Sequence, residues 1–426
     1  MFKCKPLAAA ILSVLATQAF ADNTSTQDQL GVSNIATVVQ TGGDLNEVTQ
    51  NQAGNTNNAR ADQLDDSTGS TISQTQLANF NTATAYQSFA EASSVTQYQS
   101  GANNDADARQ VSTYQSTSEQ NQTGTENVSD VQQSLSNGDA AYSDQTGNGN
   151  YSSTMQVWSD TSVARHVQNG DNNDSVISQG FSSANTAGVD QNGNDNSAEV
   201  YQEYAGFSSA QINQTGDRNV GSIDQHDGNY MTATVTAEGN DNEGYVEQMG
   251  SDHYASVYQV GDDNIADVFQ MGEGHIGEVE QDGTFNYASL DQDGTEHAAT
   301  VVQYGSDNEA YVAQVGTANE LTYLQDGTAN LLTAYQNGSD NVIEGSSVGD
   351  QQMVDIVQEG NLNVALVDQL SGTGNEVVIG QMGDSNLADV TQAGMSNEAI
   401  VSQMGMGDTA VIMQSGTANL ATVTQN

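Results

Sequence analysis

Beyond residue 21 the sequence contains no cysteine, no proline and no lysine. Without thiols there is no disulfide and no cysteine zinc site. Without proline or lysine the chain lacks two common devices for blunting an exposed strand end. Basic residues are equally scarce: Arg60, Arg109, Arg165 and Arg218 stand against 55 acidic residues, and none follows residue 218. Nucleic acid and anionic membranes are therefore poor partners. No later run approaches the roughly 20 apolar residues that span a bilayer, so membrane insertion is not expected.

The first 21 residues read differently. Lys3 and Lys5 precede the apolar run Leu7 to Ala16, and Ala19-Phe20-Ala21 supplies a small-x-small cleavage site. This is the pattern of a secretory signal peptide over residues 1–21. Cys4 precedes the apolar run, away from the cleavage site, so it is no lipid anchor.

What is present is repetition. Gln259-Val-Gly-Asp-Asp-Asn-Ile-Ala-Asp-Val-Phe-Gln270 reads Q-x-G-x-x-N-x-A-x-V-x-Q, and each closing Gln opens the next unit. Asn264, Ala266, Val268 and Gln270 alternate with Ile265, Asp267 and Phe269, the period of a strand. The Val-Gly-Asp-Asp segment, centred on Gly261, Asp262 and Asp263, has the chemistry of a tight arc with a residue at positive φ. After a short segment 22–28, residues 29–236 repeat at 23 residues, and residues 237–426 repeat at 11, or 22 per pair. In the first block a second strand type ends on the anchor Gln and begins on a small polar residue: Ser70, Ser93, Ser116, Ser162, Ser208, with Asp139 and Asn185 as variants. Five-residue arcs such as Ser88 to Ala92 precede it. Thirty-five strand ends are counted, with Ala237, Ser347 and Leu370 as substitutes for Gln. Such regular placement is not that of a disordered acidic chain.

One short strand cannot bury its apolar face alone, but two facing strands can, and stacked turns pair every backbone group above and below. The expected fold is all-β, a β-solenoid of about 17 two-strand turns with parallel in-register stacking, on the order of 80 Å long. Its Asn and Gln side chains recur in register, so their amides can form ladders along the axis. The ladder set comprises Gln99, Gly101, Asn104, Ala106 and Gln110; Gln259, Gly261, Asn264, Ala266, Val268 and Gln270; Gln303, Gly305, Asn308, Ala310 and Gln314; and Gln381, Gly383, Asn386, Ala388 and Gln392.

Ser93-x5-Gln99-x-Gly101-x2-Asn104-x-Ala106-x3-Gln110 resembles the full repeat of the curlins, the subunits of bacterial curli fibres. Ser208 to Gln225 is similar, with Gly221 in the Ala position. The resemblance implies a secreted β-solenoid that polymerises with its own copies into extracellular cross-β fibres of biofilm and surface adhesion. It also implies a curli-type nucleator subunit and an outer-membrane export pore as partners. The chain differs from the usual curlin in its many repeats, its acidity, and the loss of the Ser-led strand after residue 237. Repeats that close at Gln425-Asn426 without a capping helix leave an end that can template another copy. A monomeric surface adhesin or calcium-stiffened matrix rod is the alternative.

Three further features bear on function. His253, His275 and His297 take the Asn position on consecutive turns, where stacked imidazoles can bind zinc or copper or respond to pH; replacement of Asn is the plainer reading. Asp262 and Asp263, with Asp252, Asp307 and Asp340, can attract calcium or form a solvated, self-repelling edge. Enzymatic activity is not expected, because arcs of four or five residues wall no cleft, and no cofactor is implied.

Overall fold

The computed structural model describes residues 22–426; the signal peptide expected over residues 1–21 lies outside them. The described residues form 36 strands, β1 to β36, linked by short arcs. In the strand Ile265–Glu273, Ala266, Val268 and Gln270 are buried while Asp267 points to solvent, as the period of two requires. Each strand pairs in parallel with the strand two places later. Ala266 lies beside Ala288, Val268 beside Leu290, Gln270 beside Gln292 and Gly272 beside Gly294. Odd-numbered strands thus build one 18-stranded sheet and even-numbered strands another. The two sheets face each other across a thin core. Small residues of one oppose aliphatic residues of the other: Gly221 packs on Ile212, and Gly277 sits between Val268 and Leu290.

Three details refine the expectations. First, the stacked parallel strands form the expected solenoid of about 17 turns, with one strand more than the thirty-five strand ends counted. The extra one is β1, Thr24–Val32, an exposed end strand that carries Gln29 in the ladder position and pairs in register with β3, Glu47–Asn55. The segment 22–28 therefore leads directly into the first turn. Second, the Gly of most repeats lies inside the strand, not in the arc, with Gly170, Gly193 and Gly216 as exceptions just beyond their strands. Gly261 at φ 108 pairs with Gly283 through an in-register rung, and the arc shrinks to Asp263, at φ 57, and the buried Asn264. Third, the slip near Leu370 is resolved after Gln369. Gln369 keeps its place beside Gln392, the register shifts before Ser371, and Leu370 bulges outward, 52% exposed.

The five-residue arcs of the first block are also paired. Thr68, Glu91, Tyr114, Asn137, Asp160, Ser183 and Gly206 form single parallel bridges from turn to turn. A narrow third ladder so runs along that edge. In the second block the arcs have contracted and this ladder ends.

The core falls into two apolar stretches. One runs from Val48 to Ala108 and the other from Ala164 to Ile412. Between them the inward positions are mostly polar, with Ser118, Gln120, Ser129, Ser143, Ser152, Thr154 and His166 all buried alongside Val131 and Ala141. A weaker rung at Gly345 and Ser347 is compensated from the turn before. The buried Tyr323 ring fills the space over Gly345, where a Cβ would lie 2.8 Å from Cε2, and its hydroxyl lies 2.8 Å from Ser347 Oγ.

Candidate functional site

The chemistry of this molecule lies in its columns of side chains. Along the even-numbered sheet every turn carries a glutamine from Gln40 to Gln425, and each Nε2 donates to the next Oε1. Gln110 donates to Gln133 at 2.8 Å, Gln270 to Gln292 at 2.8 Å, Gln314 to Gln336 at 2.8 Å and Gln381 to Gln403 at 2.9 Å. The odd-numbered sheet has a matching column. Gln99 donates to Gln122 at 2.9 Å, Gln259 to Gln281 at 3.0 Å, Gln303 to Gln325 at 2.8 Å and Gln392 to Gln414 at 2.8 Å. It is interrupted at Ala237, and the consequence is visible: Gln259 Oε1 is buried without a donor. Ser347 is the milder substitute, its hydroxyl donating to Gln369 Oε1 at 2.8 Å.

Asparagine and glycine form a coupled pair of columns. The backbone N–H of Asn264 donates to Asn242 Oδ1 at 3.1 Å, and its side-chain Nδ2 donates to the Gly283 carbonyl at 3.0 Å. Asn104, Asn308 and Asn386 repeat this on Gly124, Gly327 and Gly405 at 3.0, 3.1 and 3.3 Å. The glycines must lack a side chain: a Cβ on Gly101, Gly261, Gly305 or Gly383 would stand 1.9–2.1 Å from the next turn's glycine oxygen. Ala106, Ala266, Ala310, Ala388 and Val268 are fully buried between these columns. On the serine-led edge hydroxyls replace the amide, with the Ser93 N–H donating to Ser70 Oγ at 3.2 Å and the Ser116 N–H to Ser93 Oγ at 3.3 Å.

His253, His275 and His297 continue that serine-led edge as a buried stack, centroids 5.0 Å apart and rings within 8° of parallel. Each Nε2 lies 2.9–3.1 Å from the carbonyl of Met249, Met271 or Asp293. Each Nδ1 accepts the next turn's backbone N–H, from His275, His297 and Asn319, at 3.1–3.3 Å. Both nitrogens are thereby committed, the tautomer is the neutral Nε2–H form, and no lone pair is left for zinc or copper. Burial holds all three below the usual histidine pKa.

Asp262 and Asp263 lie on the opposite edge in two outer columns. Asp262 Oδ1 accepts the backbone N–H and Nδ2 of Asn240 at 2.9 and 2.8 Å. Its column alternates amide and carboxylate: Asn148, Asp171, Asn194, Asp217, Asn240, Asp262. In the Asp263 column Arg218 is interposed, paired with Asp241. Donors thus separate the carboxylates of the first column and pair Asp241 in the second, where Asp263 follows it on the next turn, and among the described residues no group of three or more His, Cys, Asp or Glu side chains could hold a metal ion.

Two sets escaped the sequence reading. Gln27, Gln50, Gln74, Gln97 and Gln120 make a third glutamine column inside the core, each link 2.8 Å. Below it the fully buried His166 bonds Ser175 Oγ at 2.7 Å and Thr154 Oγ1 at 2.9 Å, and burial drives its pKa down to about 3. The signal was available in the alternation Ala164, His166, Gln168, which turns all three inward.

Among the described residues the end turns are paired on one side only. β1 and β2, Ile35–Gln40, pair with β3 and β4, Asn58–Leu64; β35, Thr409–Thr417, and β36, Leu420–Gln425, pair with the preceding turn. A buried Asp408 Oδ2 at the far end has no partner.

A family model described as the curlin associated repeat matches residues 239–272, 261–294, 276–305, 283–316, 298–327, 349–383 and 372–405. No curated protein matches the chain. Over residues 239–327 and 349–405 the chain thus carries curlin associated repeats.

Proposed function

We propose that this chain is a secreted structural subunit whose solenoids join end to end into extracellular cross-β fibres of the curli kind, serving biofilm matrix and surface adhesion. Both the repeat and the fold are structural in kind rather than enzymatic. The observation that carries the proposal is the fit of the last turn to the first. Leu420-Ala-Thr-Val-Thr-Gln425 of β36 laid on Ile35-Ala-Thr-Val-Val-Gln40 of β2 puts Ala on Ala, Val on Val and Gln on Gln. The same step sets Gln414 over Gln29 and Gly416 over Gly31. Directions agree as well. Gln414 and Gln425 accept from the turn before, so their Nε2 groups face forward, where Gln29 and Gln40 of a second copy would present unused Oε1 atoms. Asp408 would accept from the Asn23 backbone of that copy, as Asn23 accepts from Asn46 within the chain at 3.0 Å. Such an interface adds another ordinary turn to the ladder.

Export through an outer-membrane pore and nucleation by a minor subunit follow as part of the same reading. A monomeric adhesive rod is the competing reading, favoured by the formal net charge of −49, which opposes the approach of copies. A negative-stain electron microscopy time course of residues 22–426 after removal of denaturant decides between them. Unbranched filaments growing from monomers are expected; discrete rods one solenoid long at all times would overturn the fibre reading.

A further inference from the structure

We propose that a ridge of exposed aromatic and aliphatic side chains along the serine-led edge is a lateral contact between copies of this chain, too weak to pair single rods and strong enough to bundle filaments. It rests on the fibre reading above. The ridge is made by Leu135, Trp158, Phe181 and Tyr204 on successive arcs, extended by Phe207 and Tyr230. Trp158 and Phe181 stack with centroids 6.2 Å apart and planes 7° apart, Phe181 and Tyr204 at 5.0 Å and 9°, and Phe207 and Tyr230 at 5.3 Å and 15°. All six side chains are 44–59% exposed. Together they form a band about 20 Å long at ~4.8 Å per turn.

The fold does not ask for these residues. All six sit at φ 48–59, a left-handed conformation that bulky side chains rarely adopt. Phe89 and Leu362 aside, other turns fill the equivalent positions with residues such as Asp65, Ser112, Gly138, Asp227 and Asp252, which tolerate or favour it. Large rings have been placed where local backbone preference opposes them and where nothing within the described chain covers them. Outliers of this kind concentrate where a surface is used.

Charge selects the occupant. Two copies of so acidic a chain repel over most of their surface. The arcs Trp158–Ser162, Phe181–Asn185 and Tyr204–Ser208 together hold one carboxylate, Asp160, although Glu203 and Asp227 flank them. The opposite edge over the same turns carries Asp171, Asp195, Asp217 and Asp241, and beyond Tyr230 the ridge position itself becomes Asp252 and then Glu296. A like-charged copy thus meets fewer carboxylates along this band than along the opposite edge of the same turns. A sugar or another flat ligand suits it less well, because the rings cover one another's faces and leave their edges outward.

Area explains the dependence on filaments. Half-exposed rings offer on the order of 100 Å² each, so two apposed ridges bury roughly 600 Å² per partner, short of the roughly 800 Å² usual in stable complexes. End-to-end joining repeats the ridge once per subunit at fixed spacing, and the contacts then act together.

The test compares the wild-type chain with the triple variant Trp158→Ser, Phe181→Ser, Tyr204→Ser, serine being what Ser112 already supplies at this position. Phe285→Ser, an equally exposed left-handed ring on the opposite edge, is the control. Trp158 is the sole tryptophan and reports directly. Wild-type and Phe285→Ser filaments should be laterally paired or bundled by electron microscopy, with Trp158 emission blue-shifted and acrylamide quenching reduced severalfold relative to monomer. The triple variant should elongate at the same rate into single filaments. Single wild-type filaments, or bundling unchanged in the triple variant, would overturn the lateral contact and leave the fibre reading standing. If no filaments form, the fibre reading fails and the lateral contact, which needs filaments to act, falls with it.

Discussion

Glycine in the Gln-x-Gly-x-x-Asn unit is held to its identity by the neighbouring turn. At Gly261 the backbone adopts φ 108, a Cβ would stand 1.9 Å from Gly283 O, and that same oxygen accepts Nδ2 of Asn264 at 3.0 Å. Gly261→Ala should therefore lose about 1–3 kcal/mol of stability through strain and a displaced amide. Gly380 has ordinary strand φ, and an added methyl there would meet no atom within 4 Å; Gly380→Ala should be neutral or gain about 0.5 kcal/mol. Urea midpoints of the two variants check this, and equal loss in both would remove the column as the cause. Ala237 offers the opposite experiment. Ala237→Gln supplies the missing donor to Gln259 Oε1 in a column where neighbouring turns already accept glutamine, and should add about 1 kcal/mol. Residue spacing made glycine legible as a special position but not as part of a strand, because a positive φ reads as a turn until the next turn is seen to need the same space.

Within a strand the alternation of inward and outward residues was legible from the sequence, since Ala266, Val268 and Gln270 differ so plainly from Asp267. Strand limits were not, and neither was the change of core from apolar to polar around His166, because inward Ser, Gln and Thr look like surface residues when read singly. The histidine stack gives this scale its prediction. Burial lowers the pKa of His253, His275 and His297, so in the acid range below about 6.5 the unfolded chain binds more protons than the folded one. Their contribution to stability falls as pH drops below that value, by at most about 1.4 kcal/mol per pH unit for each histidine until its folded pKa is reached. The triple change of these histidines to Asn restores the amide column and should flatten urea midpoints between pH 7.5 and 5.5, leaving His166 to respond along with the rest of the fold. An equally steep variant would place the pH response elsewhere. The comparison stops at pH 5.5 because Asp105, Asp107 and Asp130 act in the reverse sense. Burial against adjacent strands, and for Asp105 and Asp107 also the charge of Asp130, raises these carboxyls, so their contribution improves as acid protonates them.

At the scale of the whole molecule, cohesion runs along the axis and repulsion acts between molecules. Four arginines offset few of the 55 acidic residues, with Arg60 paired to Asp62 and Arg218 to Asp241. Assembly should therefore accelerate as ionic strength rises from 0.01 to 0.15 M, where the screening length contracts from about 30 to about 8 Å. The lag before filaments appear, followed by light scattering, measures this; a lag indifferent to salt would mean that charge does not limit the encounter.

Near-identical turns also raise a problem of addressing. A strand that settles one turn out of place would still find Gln beside Gln and Asn beside Asn, so most of the ladder cannot tell a correct fold from one with a turn skipped. The irregular rungs can. Tyr323 fills the gap over Gly345 and reaches Ser347 only when those strands are neighbours, and His166 meets Ser175 and Thr154 at one level alone. They serve as punctuation in an otherwise repetitive text, and a chain rebuilt from perfect consensus repeats would hold its columns while losing its place.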